Sequence, residues 1–116
     1  MRIVSERSKR PWGQYYKFHQ EPGVWVKRIE VNPNSRLSLQ KHKYRSEKWI
    51  VVAGCGLAIV NGNKIPVKPG VVVDVPRGAV HRIGNRGKKK LVMIEVATGK
   101  VLTENDIIRI QDDYAR

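Results

Sequence analysis

From Tyr15 to Ala97 the chain is a series of short apolar runs rich in Val and Ile, most of them separated by Gly, Pro or Asn. Branched side chains lose rotamer freedom in a helix but pack well on a pleated surface. The pattern predicts strands over 15–18, 24–31, 36–42, 48–52, 57–60, 64–67, 71–75, 81–83 and 91–97. Turns between them are supplied by Pro22-Gly23, Asn32-Pro33-Asn34, Gly54-Cys55-Gly56, Pro69-Gly70 and Arg86-Gly87. Asn61-Gly62 is the sharpest signal, because a type I′ hairpin turn needs positive φ at both central residues. Many short strands at such spacing make a sandwich or barrel. The expectation is one all-β domain over residues 1–116, a length that encloses a single core.

The tail changes character. Thr103 and Asp106 can cap a short helical turn, and 107–110 can add an edge strand. Glu104, Asp106, Asp112 and Asp113 make it acidic, so it either folds back across a basic barrel or ends as a solvated extension.

Charge narrows the partners. The formal net charge is +13, from 23 Lys and Arg against 10 Asp and Glu. Such a field attracts anions, whether nucleic acid or phosphorylated small molecules. The basic residues lie in short groups (7–10, 41–48 and 86–90), with no nucleic-acid-binding module signature, so no specific nucleic acid is expected. Cys55 is the only cysteine, which excludes an intrachain disulfide. No apolar run approaches the roughly 20 residues that span a bilayer, and the N-terminal segment lacks the apolar stretch of a signal peptide. A cytoplasmic protein without membrane contact is expected. A homodimer is expected too, since the exposed edges of a small β-protein are readily paired or covered, and 1–8 is available for that.

Two segments carry chemistry. The first runs from Asn34 through Gln40, His42 and Glu47 to Gly54; the second runs from Gly70 through Pro76, Gly78 and His81 to Asn85. Strict alternation puts Arg36, Ser38, Gln40 and His42 on one strand face, with Leu37 and Leu39 on the other. A polar face of that kind is expected to line a cavity inside a barrel. Past Lys43 and Tyr44, the same period groups Arg45, Glu47, Trp49 and Val51. His81 follows a Pro-x-Gly turn that can deliver a second imidazole. Two His, one Glu and an amide oxygen suit Zn²⁺, Mn²⁺, Fe²⁺ or Co²⁺ and leave room for water or substrate. His19 and Cys55 fall outside the pattern; a lone His is usually a hydrogen-bonded structural residue.

These segments resemble cupin motifs 1 and 2. The second agrees at Gly70, Pro76, Gly78, His81 and Asn85; the first agrees at His42, Glu47 and Gly54, with Asn34 for Gly and Gln40 for the first His. Gln40 and the Leu37-Ser38-Leu39-Gln40 run are similar to phosphomannose isomerases, which place Gln, His, Glu and His around a metal. Arg10-Pro11-Trp12-Gly13-x-Tyr15, Arg45-Ser46-Glu47-x-Trp49, and the ending from Asp106 to Arg116 resemble type II phosphomannose isomerase domains. Those usually form the C-terminal part of bifunctional mannose-1-phosphate guanylyltransferases. Lys48 stands where that family commonly has His, and Ala115 where Gly is usual.

The resemblance implies a cupin barrel (a double-stranded β-helix or jelly roll) with one divalent metal, Zn²⁺ foremost, held by Gln40, His42, Glu47 and His81. It implies interconversion of mannose 6-phosphate and fructose 6-phosphate through a cis-enediol. Arg45 would stabilise the enediolate, while Lys48, Tyr44 or a metal-bound water would carry the proton. Arg36, Ser38, Arg109 and Arg116 would hold the phosphate, with Arg favoured for its bidentate fork. The competing readings are a sugar-binding cupin that has lost isomerisation, to which Lys48 points, and a metal enzyme of another reaction type.

Overall fold

In the computed structural model, which describes residues 6–114, strands account for all the regular structure and none of those residues is helical. Twelve strands form: β1 (Glu6–Arg10), β2 (Gly13–Glu21), β3 (Val24–Val31), β4 (Ser35–Arg36), β5 (Leu39–Lys41), β6 (Arg45–Ala53), β7 (Gly56–Val60), β8 (Asn63–Val67), β9 (Val72–Val75), β10 (His81–Asn85), β11 (Leu91–Gly99) and β12 (Ile108–Gln111). One sheet runs β1-β2-β3-β11-β6-β9 and the other β12-β5-β10-β7-β8, with β4 also on β10. Every pairing is antiparallel.

The turn chemistry acts as the residue types require. Asn61 and Gly62 have φ of 49° and 80°, which joins β7 to β8 by the expected tight hairpin. Gly54 has φ of 77°, and a Cβ there would lie 2.4 Å from the Lys90 carbonyl oxygen, so both conformation and space demand glycine. The tail folds back. The Asp106 amide donates to the Thr103 carbonyl in a turn, and β12 pairs with β5 as an edge strand.

Register explains the interior. Across the first sheet, Tyr15, Ile29, Met93 and Val51 stand side by side; the next inward row is Lys17, Lys27, Glu95, Trp49 and Val73; the next is Trp25, Ala97, Glu47 and Val75. Because side chains alternate faces, each row is two residues along from the last. Toward Val31 and Leu91 the rows are apolar and join Trp12, Ala58, Val60 and Ile83 in one core. In the other direction they turn polar. The barrel thus has a dry end and a charged end, and no buried side-chain N or O among the described residues lacks a hydrogen-bond partner.

Ile83 is fully buried where the two sheets meet. Ile83→Ala is expected to cost about 2–5 kcal/mol, read as a lower urea midpoint at unchanged m-value.

The long strand expected over 36–42 is broken. Strands β4 and β5 are separated at Leu37 and Ser38, where the Leu37 amide donates to the Ile83 carbonyl and Arg82 Nε donates to the Leu37 carbonyl at 3.0 Å. Alternation does not survive the break, so Arg36 lands outside the barrel. Of the segment expected to cover an edge, residues 1–5 lie outside the described residues; β1 pairs with β2 of its own chain. No helix of the described residues is long and apolar enough to cross a membrane.

Candidate metal centre

At the charged end, His42, Glu47 and His81 converge, with one ligand atom from each lying within 4.8 Å of the others. All three are at least 96% buried. Glu47 comes from β6, where inward and outward residues alternate over Arg45, Glu47, Trp49 and Val51. His81 opens β10, directly opposite Gln40 on β5, so strand pairing alone makes them neighbours. His42 follows β5, and its carbonyl accepts the Gly78 amide, which ties the two motifs together.

The imidazoles are held in one tautomer. His42 Nδ1 donates to the Asp106 carbonyl at 2.6 Å, and His81 Nδ1 donates to the Ala79 carbonyl at 2.9 Å. Each Nε2 then carries the ring's lone pair, the second-shell arrangement usual for metal-binding histidines. Burial and the adjacent Arg45 lower the His42 pKa to about 4, and burial also lowers that of His81, so both rings are neutral at pH 7. His42 Nε2 then faces Glu47 Oε2 at 3.3 Å with no proton between two acceptors. Arg45 bridges them, donating to Glu47 Oε2 at 2.8 Å and to His42 Nε2 at 3.3 Å. Two imidazole nitrogens and a carboxylate within this reach are a donor set that a divalent ion takes. Glu47 Oε1 accepts from Trp49 Nε1, which fixes the carboxylate. Gln40 donates through Nε2 to Ser38 Oγ at 3.1 Å, which leaves its amide oxygen for a ligand.

The other expected site residues divide. Arg45 is buried in the cavity, its guanidinium 4.7 Å from the Trp25 ring, and also donates to the Thr103 carbonyl. Arg109 lines the cavity mouth from β12. Ser38 is fully buried beneath Gln40 and orients that amide rather than reaching the mouth. Arg36 is a correction. It is half-exposed outside the barrel, where it holds Asp113 with hydrogen bonds of 2.6 and 2.9 Å. Lys48 is another, for β6 alternation turns it outward to pair with Asp74 at 2.7 Å, both side chains 68% exposed. Tyr44 is also outside, 43% exposed beneath Lys43. Arg116 lies outside the described residues. His19 is exposed beside Glu21.

Several charged cavity residues were not singled out from the sequence. Glu95 is buried on β11, accepts from Trp25 Nε1 at 2.9 Å and hydrogen-bonds Glu47. Burial and the Glu47 carboxylate push its carboxyl up to about 7. Arg10 and Lys27 also line the cavity, and Glu104 closes it from the tail. One signal was available: Lys27 and Glu95 fall among the apolar residues of strands that otherwise read as core.

Two facing antiparallel sheets with a His, Glu and His set at one end define a cupin barrel with a candidate metal site. Solved structures of the same shape include CapF of Staphylococcus aureus, with a TM-score of 0.81 at 22% identity over 91% of this chain and 32% of that one. A cupin-2 domain from Rhodospirillum rubrum gives a TM-score of 0.68 at 19% identity over 80% of this chain and 67% of that one. The family model described as mannose-6-phosphate isomerase, C-terminal, matches residues 3–112, and the chain belongs to that family. It is 40% identical over 107 residues to mannose-1-phosphate guanylyltransferase ManC of Salmonella typhimurium, covering 92% of this chain and 22% of that protein. The xanthan biosynthesis protein XanB of Xanthomonas campestris is likewise 40% identical over 107 residues, with 92% of this chain and 23% of that protein covered. The chain therefore spans under a quarter of the length of these relatives.

Proposed function

We propose that this domain interconverts mannose 6-phosphate and fructose 6-phosphate, using one divalent metal, Zn²⁺ foremost, held by Gln40, His42, Glu47 and His81. The observation that carries the reading is the meeting of two neutral Nε2 atoms and a carboxylate beside the buried guanidinium of Arg45. Family membership supports it. A metal bound there supplies a Lewis acid that polarises the sugar carbonyl.

The chain's own residues do the remaining work. Isomerisation moves a proton between C2 and C1 through a cis-enediol, so the cavity needs one group that takes and returns it. With Lys48 and Tyr44 outside, Glu95 fills that role: it is a cavity carboxylate outside the candidate ligand set, whereas Glu47 belongs to that set. Arg45 stays charged at any working pH and cannot serve as base. It stabilises negative charge on the enediolate oxygen. Trp12, Tyr15 and Trp49 form an apolar wall that limits water at the reacting carbons. Lys48 points away from this chemistry, so its replacement of the family's His does not favour the non-catalytic reading.

The test is a coupled assay on purified protein with mannose 6-phosphate and added Zn²⁺, Mn²⁺ or Co²⁺, run in heavy water. Turnover with deuterium entering C1 or C2 is expected. Sugar-phosphate binding without turnover or exchange would leave a binding module instead. Arg45→Met is expected to lower kcat about 10²–10³-fold with little change in binding, since the charge it meets exists only near the transition state.

A further inference from the structure

The charged row beside the candidate metal centre holds more cation than that chemistry uses. Lys17 and Lys27 are cross-strand neighbours on β2 and β3, only 8% and 4% exposed. An ammonium so placed is costly without an anion against it. Both reach the same atom: Glu104 Oε2 lies 3.1 Å from Lys17 Nζ and 2.8 Å from Lys27 Nζ. Lys27 also donates to Glu104 Oε1 at 2.9 Å, and Lys17 to Gln20 Oε1 at 3.0 Å. Behind them lies an aromatic floor. Lys17 and Lys27 stand 4.4 and 4.2 Å from the Trp25 ring centre, and Lys27 and Arg10 stand 4.1 and 5.1 Å from that of Tyr15.

The anion that completes this pocket comes from the least embedded element. Glu104 sits in the turn between β11 and β12, with its side chain 37% exposed. Two residues on, the Asp106 carboxylate anchors the strap by accepting from the Lys43 and Tyr44 amides at 2.8 and 2.9 Å. Glu104 can therefore swing toward solvent while the strap stays fixed at Asp106. Lys17 and Lys27 rise from β2 and β3, strands paired on both sides.

We propose that Lys17 and Lys27 form a subsite for a phosphate-type dianion, which the Glu104 carboxylate fills in the absence of ligand and vacates when one binds. Two oxygens spread over two buried ammonium groups is the contact pattern of a phosphoryl group, which brings a second charge and a third oxygen. Lys27 and Glu104 line the same cavity as His42, Glu47 and His81, and the β3 and β6 backbones are separated by β11 alone. The subsite and the metal centre divide the two ends of one ligand. That the natural ligand is a sugar phosphate rests on the function proposed above; the dianion subsite itself does not require turnover.

The test titrates inorganic phosphate calorimetrically into the full chain after chelator treatment, so that no metal can hold the anion. Glu104→Gln keeps the side chain's shape but removes the competing charge, and is expected to tighten phosphate binding about tenfold or more. Adding Lys27→Met to that variant removes one of the two ammonium groups, leaving Lys17 bonded to Gln20, and is expected to lose at least the gain. Thermal unfolding of each variant confirms that the fold is intact. Unchanged or weaker phosphate binding in Glu104→Gln would overturn the subsite, as would equal binding with and without Lys27. Lys48→Met, which removes an outward-facing cation, is expected to change nothing; an equal loss there would reduce the effect to overall charge. With mannose 6-phosphate, Lys27→Met is expected to raise KM at nearly constant kcat. Turnover with normal KM in that variant sinks the subsite and spares the isomerase, whereas phosphate binding without turnover in the parent does the reverse.

Discussion

Glu95→Gln is expected to lower kcat by about 10²–10⁴ while metal content and sugar-phosphate affinity stay near those of the parent. The amide keeps the carboxylate's size and retains an oxygen for the Trp25 N–H contact, so the β11 backbone and the indole have no reason to move. What it cannot do is accept a proton from carbon and give it back. The decisive readout is therefore exchange of the C2 hydrogen with solvent, which should fall in step with kcat. A loss of less than tenfold, with exchange intact, would assign the proton transfer to another group. Arg45→Met provides the contrast: that variant should still exchange, though slowly, because its base is present while the charge on the enediolate goes unmet; its metal content is measured alongside, since Arg45 also holds Glu47 and His42.

His42→Ala and His81→Ala are expected to abolish stoichiometric metal, with an affinity loss beyond the roughly 10–100-fold that removal of a second-shell partner costs. Each substitution removes one of two neutral nitrogen donors from the proposed set, in which Glu47 and Gln40 would contribute oxygens. Elemental analysis of dialysed protein reads the result directly, and circular dichroism should show the β fold retained. Undiminished metal in both variants would move the site elsewhere. A smaller loss is expected when Asp106 is replaced by Pro: its carbonyl, which accepts from His42 Nδ1, is displaced when the turn is disturbed, and His42 then loses the partner that fixes its tautomer.

The barrel was legible because its signals are local. Asn61-Gly62 dictates a hairpin by its own φ preferences, and the alternation from Arg45 to Val51 needs nothing beyond the strand's period to set its inner face. The candidate ligands were legible for the same reason, since spacing within two short motifs carries them. Arg36 was misplaced because alternation holds only along an unbroken strand. At the break the Leu37 carbonyl accepts from Arg82, a residue 45 positions away. Lys48 was misassigned by a motif correspondence, although the same alternation that turned Glu47 inward had to turn Lys48 outward. Glu95 and Lys27 were passed over because each reads as an ordinary charge until register sets them side by side, and Glu104 was read only as part of an acidic tail until the fold laid it across Lys17 and Lys27. Nothing within a few residues of any of them announces a partner 70 or 77 positions distant, the separations of the Trp25–Glu95 and Lys27–Glu104 bonds.

The strap that carries Glu104 and Asp106 also bears on the order in which the chain is made. His42 acquires its tautomer-fixing partner, Arg45 its Thr103 contact, and β5 its outer neighbour only from residues 103–111. A ribosome delivers those residues after every candidate metal ligand has already emerged. During synthesis the ligands are thus exposed on an unfinished barrel with one wall missing, and long-range closures of this kind form late because their loop entropy must be overcome first. Metal capture at the proposed site would then follow closure of the strap rather than nucleate folding, and a nascent chain paused before residue 103 is expected to hold no ion tightly.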